Sequence, residues 1–180
     1  MVKKIVGTGV LLVLALALQA GVKMYTLKSP DGKVKLEVTA GQGIAYSLFY
    51  DGRLLLKPSR IALHTDLPEA DHWENIRITG TKQRHVSETV QAPFYRVKEF
   101  GIDCNELELR LNNGFSLLMR AYNDGMAYRF VAGRKGEMTV VEERAEFNFA
   151  DDFEAYIPYS TNPKDPWNMA FQNFYTKAPL

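Results

Sequence analysis

Along this chain apolar and polar residues alternate with period two in short runs separated by turn residues, the pattern of half-buried β-strands. Residues 33–39 (KVKLEVT) place Val34, Leu36 and Val38 on one face, and residues 105–111 (NELELRL) do the same with Leu107, Leu109 and Leu111. Phe115, Leu117, Met119 and Ala121 alternate with Ser116, Leu118, Arg120 and Tyr122. Beyond Asn123-Asp124-Gly125, Met126, Tyr128 and Phe130 alternate with Ala127, Arg129 and Val131. The turn residues supply side chains that bond local backbone and a Gly able to take positive φ, so a β-hairpin is predicted. Further strands are expected at 24–27, 44–50, 53–56, 60–64, 76–78, 86–90, 138–141 and 145–149. Ser29-Pro30-Asp31-Gly32 and Asp51-Gly52 read as tight turns, Lys57-Pro58-Ser59 as a break, and Pro93 as an edge or crossover.

Beyond the first 20 residues no segment sustains apolar spacing of three and four. Turn signals recur roughly every 8–12 residues, the signature of an all-β antiparallel sandwich or barrel. Nothing in 21–180 splits the body into two domains. After Asp151 the texture changes: Pro158, Pro163, Pro166 and Pro179 lie among aromatic residues, which predicts a packed irregular segment whose partner lies beyond the last residue.

Composition changes the picture at the N-terminus. Lys3 and Lys4 precede an unbroken apolar run from Val10 to Leu18, and Ala15-Leu16-Ala17 and Leu18-Gln19-Ala20 offer small-residue cleavage sites. Residues 1–20 therefore read as a signal peptide, and export to the periplasm or beyond is expected, with no membrane attachment once it is removed. The full chain of 180 residues carries 46% hydrophobic residues, enough for a core. Its 22 basic and 21 acidic residues leave a formal charge of +1 without basic runs, which excludes a nucleic-acid footprint. Cys104 is alone, so no intrachain disulfide forms, and it reads as a small buried hydrophobe.

Candidate chemistry is sparse. His64, His72 and His85 lack metal-ligand spacing. Asp66, Glu69, Asp71 and Glu74 surround His72 and Trp73, and their spacing fits a solvated loop rather than a calcium loop. Glu142-Glu143 and Asp151-Asp152 are adjacent pairs, which on a strand point to opposite faces and so do not form a glycosidase dyad. Arg120 and Arg129 flank the central turn, placed to meet carboxylates or hydroxyls. Phe153, Tyr156, Tyr159, Trp167, Phe171, Phe174 and Tyr175 fall within 23 residues, a supply of rings on which sugars stack or which cover the sandwich.

Taken in order, Ser29-Pro30-Asp31-Gly32, Tyr46-Ser47-Leu48 with Asp51-Gly52, Asn105-Glu106-Leu107, the hairpin RAYNDGMAYRF at 120–130 and ERAEFNF at 143–149 resemble the N-terminal domain of glycoside hydrolase family 97. This is a bacterial family of exported α-glucosidases and α-galactosidases, and the resemblance covers about residues 27–175. It implies a β-super-sandwich of the galactose-mutarotase type, incomplete at the C-terminus, packed on a catalytic (β/α)8 barrel that this chain lacks. It also implies calcium dependence and an α-linked oligosaccharide or glycoside as substrate of the whole enzyme, with the catalytic carboxylates on the barrel, so no catalytic residue is expected in this chain. The family's calcium-binding Glu, preceded by an aromatic residue, matches Phe171-Gln172, which makes Gln172 the candidate metal ligand with an amide oxygen in place of a carboxylate. A free-standing exported carbohydrate-binding sandwich is the alternative.

Overall fold

The computed structural model describes residues 23–94, 96–160, 164 and 173–180. The expected signal peptide lies outside them. The architecture is all-β, as the alternation predicts. One five-stranded antiparallel sheet is built from β1 (Lys23–Lys28), β2 (Val34–Gly41), β3 (Gly43–Tyr50), β4 (Arg53–Thr65) and β9 (Val140–Ala145), side by side in that order. A four-stranded sheet follows chain order through β5 (Ile78–Gln91), β6 (Glu99–Leu111), β7 (Phe115–Tyr122) and β8 (Gly125–Ala132). A separate ribbon pairs β10 (Glu154–Ile157) with β11 (Thr176–Pro179).

Alternation in sequence becomes the core. Leu36, Val38, Ile44, Tyr46 and Ile61 from the first sheet share one buried cluster with Leu107, Leu109, Leu117, Met119 and Ala121 from the second. Each fully buried aliphatic side chain there contributes roughly 1.5–3 kcal/mol over exposure. Trp73, in the loop between β4 and β5, closes one end of the sandwich, stacking on Phe115, meeting Phe130 edge-on and donating its indole N–H to the Leu63 carbonyl at 3.1 Å.

The structure corrects several sequence expectations. The break expected at Lys57-Pro58-Ser59 is instead interior to β4, where the register with β3 shifts between Tyr46 and Leu48. A bulge tolerates a residue with no N–H to donate. The Pro58 carbonyl is still used, accepting from the Asn148 side chain at 2.8 Å. The polar stretch before Val86 does not interrupt a strand either, because β5 runs unbroken against β6 from Gly80 to Gln91. At the central hairpin Tyr122 pairs with Gly125, so Asn123 and Asp124 form the loop and Gly125 does not adopt positive φ. Asn123 also turns away from its own backbone and accepts from the Asp31 amide at 3.0 Å, tying two turns together. Residues 145–149 contribute only the end of β9 and a single bridge from Phe149 to Leu56. Part of the tail expected to be irregular is the β10–β11 ribbon, whose Pro179 sits at a strand end.

Candidate functional site

The most built polar arrangement lies on the face of the four-stranded sheet that points away from the core. Leu107 and Leu109 on β6 face the core, so Glu106, immediately before Leu107, faces outward. The register sets Arg84 of β5 and Arg120 of β7 directly opposite it, one on each side. Cross-strand partners on one face are close enough to touch. Arg84 donates its Nε–H to Glu106 Oε1 and Arg120 donates its own to Oε2, both at 2.7 Å. The Glu106 side chain is only 5% exposed, against 52% for Arg84 and 23% for Arg120.

Burial pushes the Glu106 carboxyl up, but the hydrogen bonds and charges of Arg84 and Arg120 outweigh it and hold the group below its ordinary value. Arg120 is raised, first by the Tyr122 phenol and then by Glu106. A carboxylate held ionised by two cations has no proton to donate at neutral pH and is shielded from acting as a base. The arrangement clamps three strands together. Diagonal to Arg120 on the same face, Arg129 forms no ion pair among the described residues and lines a shallow depression with Leu118, Tyr122 and Ala127. Of the two arginines singled out in the sequence, one is therefore consumed and one is left open.

The other predicted chemistry is dispersed. His64 pairs with Asp71 at 2.7 Å, and His85 meets Asn105 and Asp103, each at 3.0 Å. In the acidic loop Asp66 accepts from the Thr139 amide at 2.9 Å and Glu69 accepts from Arg134 at 2.8 Å, which lowers both carboxyls. These carboxylates anchor loops. No group of three or more His, Cys, Asp or Glu able to hold a metal occurs among the described residues. Gln172, the candidate calcium ligand, lies outside the described residues, as do Trp167 and Phe171. Of the remaining tail rings, Phe153 packs edge-on against Phe149, while Tyr156, Tyr159, Phe174 and Tyr175 are exposed. Arg84 and Glu106 are not legible as a unit in the sequence: Arg84 falls in the polar stretch before Val86 and Glu106 at a polar position of the alternating run 105–111, with nothing to say they pair.

Residues 27–180 match the family described as glycosyl-hydrolase 97 N-terminal. A retaining alpha-galactosidase of Bacteroides thetaiotaomicron is 39% identical over 171 residues, covering 92% of this chain and 25% of that protein. A probable retaining alpha-galactosidase of Streptomyces bingchenggensis is 26% identical over 132 residues, covering 71% of this chain and 20% of that protein. The chain thus spans a quarter or less of the curated relatives it matches. Among solved structures, a beta-arabinopyranosidase superposes with a TM-score of 0.71 at 22% identity, covering 84% of this chain and 26% of the other. A glycoside hydrolase family 97 enzyme from Pseudoalteromonas sp. strain K8, in complex with acarbose, gives 0.63 at 16% identity, with 86% and 24% covered. At these identities the superpositions establish the fold.

Proposed function

Because the chain belongs to the glycosyl-hydrolase 97 N-terminal family, we propose that it is the non-catalytic β-sandwich of an exported, calcium-dependent α-glycosidase, packing on a catalytic (β/α)8 barrel and walling one side of the sugar pocket. The observation that carries this reading is the family match over residues 27–180, beside an alignment that covers only a quarter of the Bacteroides thetaiotaomicron relative. The names of the two curated relatives make an α-galactoside the favoured substrate of the whole enzyme. A scaffold role also agrees with how the carboxylates are used: Glu106, Glu69 and Asp71 are each held by Arg or His partners. Export rests on the charged and apolar pattern of residues 1–20. For calcium, Gln172 would supply one neutral amide oxygen, a ligand type hard cations accept, with carboxylates coming from the barrel.

The test is to co-express the chain with the part of the Bacteroides thetaiotaomicron protein that follows the matched segment and to assay a chromogenic α-galactoside before and after chelation. The chain alone is expected to be inert, the pair to co-purify and hydrolyse, and chelation to remove activity. Hydrolysis by the chain alone would overturn the non-catalytic role. The exposed Tyr156, Tyr159, Phe174 and Tyr175 favour one other reading, a free-standing saccharide binder. Its mark would be a melting temperature of the isolated chain raised by α-linked glucosides or galactosides, since a ligand stabilises the folded state it binds.

A further inference from the structure

The β5–β6 hairpin changes its apolar side partway along its length. Nearer the sandwich, Leu107, Leu109 and Leu111 of β6 face the core. Further out, the apolar residues fall on the opposite parity: Val86 pairs with Cys104 and Val90 with Phe100, while Ile102 stands opposite Glu88. The pairing is unbroken from Gly80 to Gln91, so no bulge rotates the strand between the two sets. Strict alternation then puts the second set on the outward face. The core-side face of this outer arm is polar, with Ser87 opposite Asp103 and Gln91 opposite Glu99.

Val86 and Cys104 are buried yet stand outside the core cluster. Beyond them Phe100 is 44% exposed, and at the tip Phe94 is fully exposed. A two-stranded arm is marginal without packing on one of its faces; the main strand neighbours of β5 and β6 besides each other are β7 and β1, and Phe100 on the apolar face is left half-exposed. On that same face, nearer the sandwich, stand the Arg84–Glu106–Arg120 clamp and the open Arg129.

We propose that this outward face, from the clamp along the arm to Phe100, is the docking surface for the polypeptide that follows the matched segment in the longer family relatives. That occupant is chosen because the relatives carry roughly three-quarters of their length outside the matched span. It would present apolar side chains to Val90 and Phe100 and a carboxylate to Arg129. The inference rests on the proposed function and adds which face is used.

The experiment takes the co-expressed pair described above and compares Phe100→Asp, on the apolar face, with Thr89→Asp, on the polar face of the same arm. Both variants are first melted alone to establish that the sandwich is intact. Phe100→Asp is expected to weaken co-purification roughly tenfold or more, as loss of a central apolar anchor does, and Thr89→Asp to leave it unchanged. Hydrogen exchange in the arm is expected to slow on pairing for wild type and Thr89→Asp only. Retention of the pair by both variants overturns the docking surface and leaves the proposed function standing. Failure of the wild-type chain to pair overturns the proposed function and this inference with it. Self-association of the chain abolished by Phe100→Asp would assign the face to a second copy and overturn the occupant proposed.

Discussion

Arg120 donates its Nε–H to Glu106 Oε2 at 2.7 Å across the β6–β7 pair, and the acceptor is almost wholly withdrawn from water although it stands on an outward sheet face. Arg84 takes the other oxygen from the opposite neighbour, so a single carboxylate staples three consecutive strands.

Glu106→Ala leaves two guanidinium groups facing each other with nothing between them. A loss of about 2 kcal/mol is expected, toward the lower range for a broken ion-pair network because Arg84 is half exposed and solvent screens it. Urea unfolding of the variant beside wild type checks this, and an unchanged midpoint would reject the clamp as a stabilising unit.

Acid should erode the same unit. The folded-state carboxyl of Glu106 is held below its ordinary value, so its contribution is fully present above the unfolded pKa, about 4.3, and is lost as pH falls through the lower folded value. Asp31, Asp66, Glu69 and Glu146 are lowered as well, each by hydrogen bonds. Melting temperature is therefore expected to drop below about pH 4.3. In Glu106→Gln the drop should be shallower but still present, because the other four carboxylates remain.

Neighbouring leucines on β7 should answer very differently to the same truncation. Leu117 is fully buried in the shared core, whereas Leu118 lies on the outward face. Leu117→Ala is expected to cost about 2–5 kcal/mol and Leu118→Ala less than about 1 kcal/mol, measured on the chain alone. Equal losses would contradict the assignment of faces.

Gly52, in the β3–β4 turn, and Gly125, beside the β7–β8 loop, make a second contrast. Asp51 and Gly52 both have positive φ, 48° and 79°, as the two-residue loop between paired Tyr50 and Arg53 requires. A Cβ on Gly52 would meet no atom within 4 Å, so Gly52→Ala tests the backbone alone, and a cost of about 1 kcal/mol is expected. Gly125 has neither positive φ nor a crowded site. Gly125→Ala should therefore stay within about 0.5 kcal/mol of wild type by thermal melt.

The alternating runs and turn dipeptides made much of the fold legible. The β2, β3, β7 and β8 strands and the Asp51-Gly52 turn follow from local rules, because period-two patterning and positive φ are properties of a few adjacent residues. Pro58 misled, since the register shift between Tyr46–Ser59 and Leu48–Leu56 lets a proline sit inside β4, and that depends on residues 46–48 as much as on residue 58. Gly125 misled in the other direction: the register of β7 and β8 left it paired with Tyr122 rather than in the loop. The clamp was not legible, because Arg84, Glu106 and Arg120 are far apart in sequence and meet only through the order of strands.

By itself the sequence determined an all-β chain with an apolar stripe on most strands, and through its ordered motifs the family to which it belongs. Only the tertiary structure decided which side each stripe faces. The parity change between Cys104 and Leu107 is visible in the sequence, but alternation repeats every two residues and carries no reference for inside or outside. A bulge would have brought both sets of residues to the core. Continuous pairing with β5 instead leaves Phe100, Cys104 and Glu106 on the outward side, and that placement follows from which sheet packs against which.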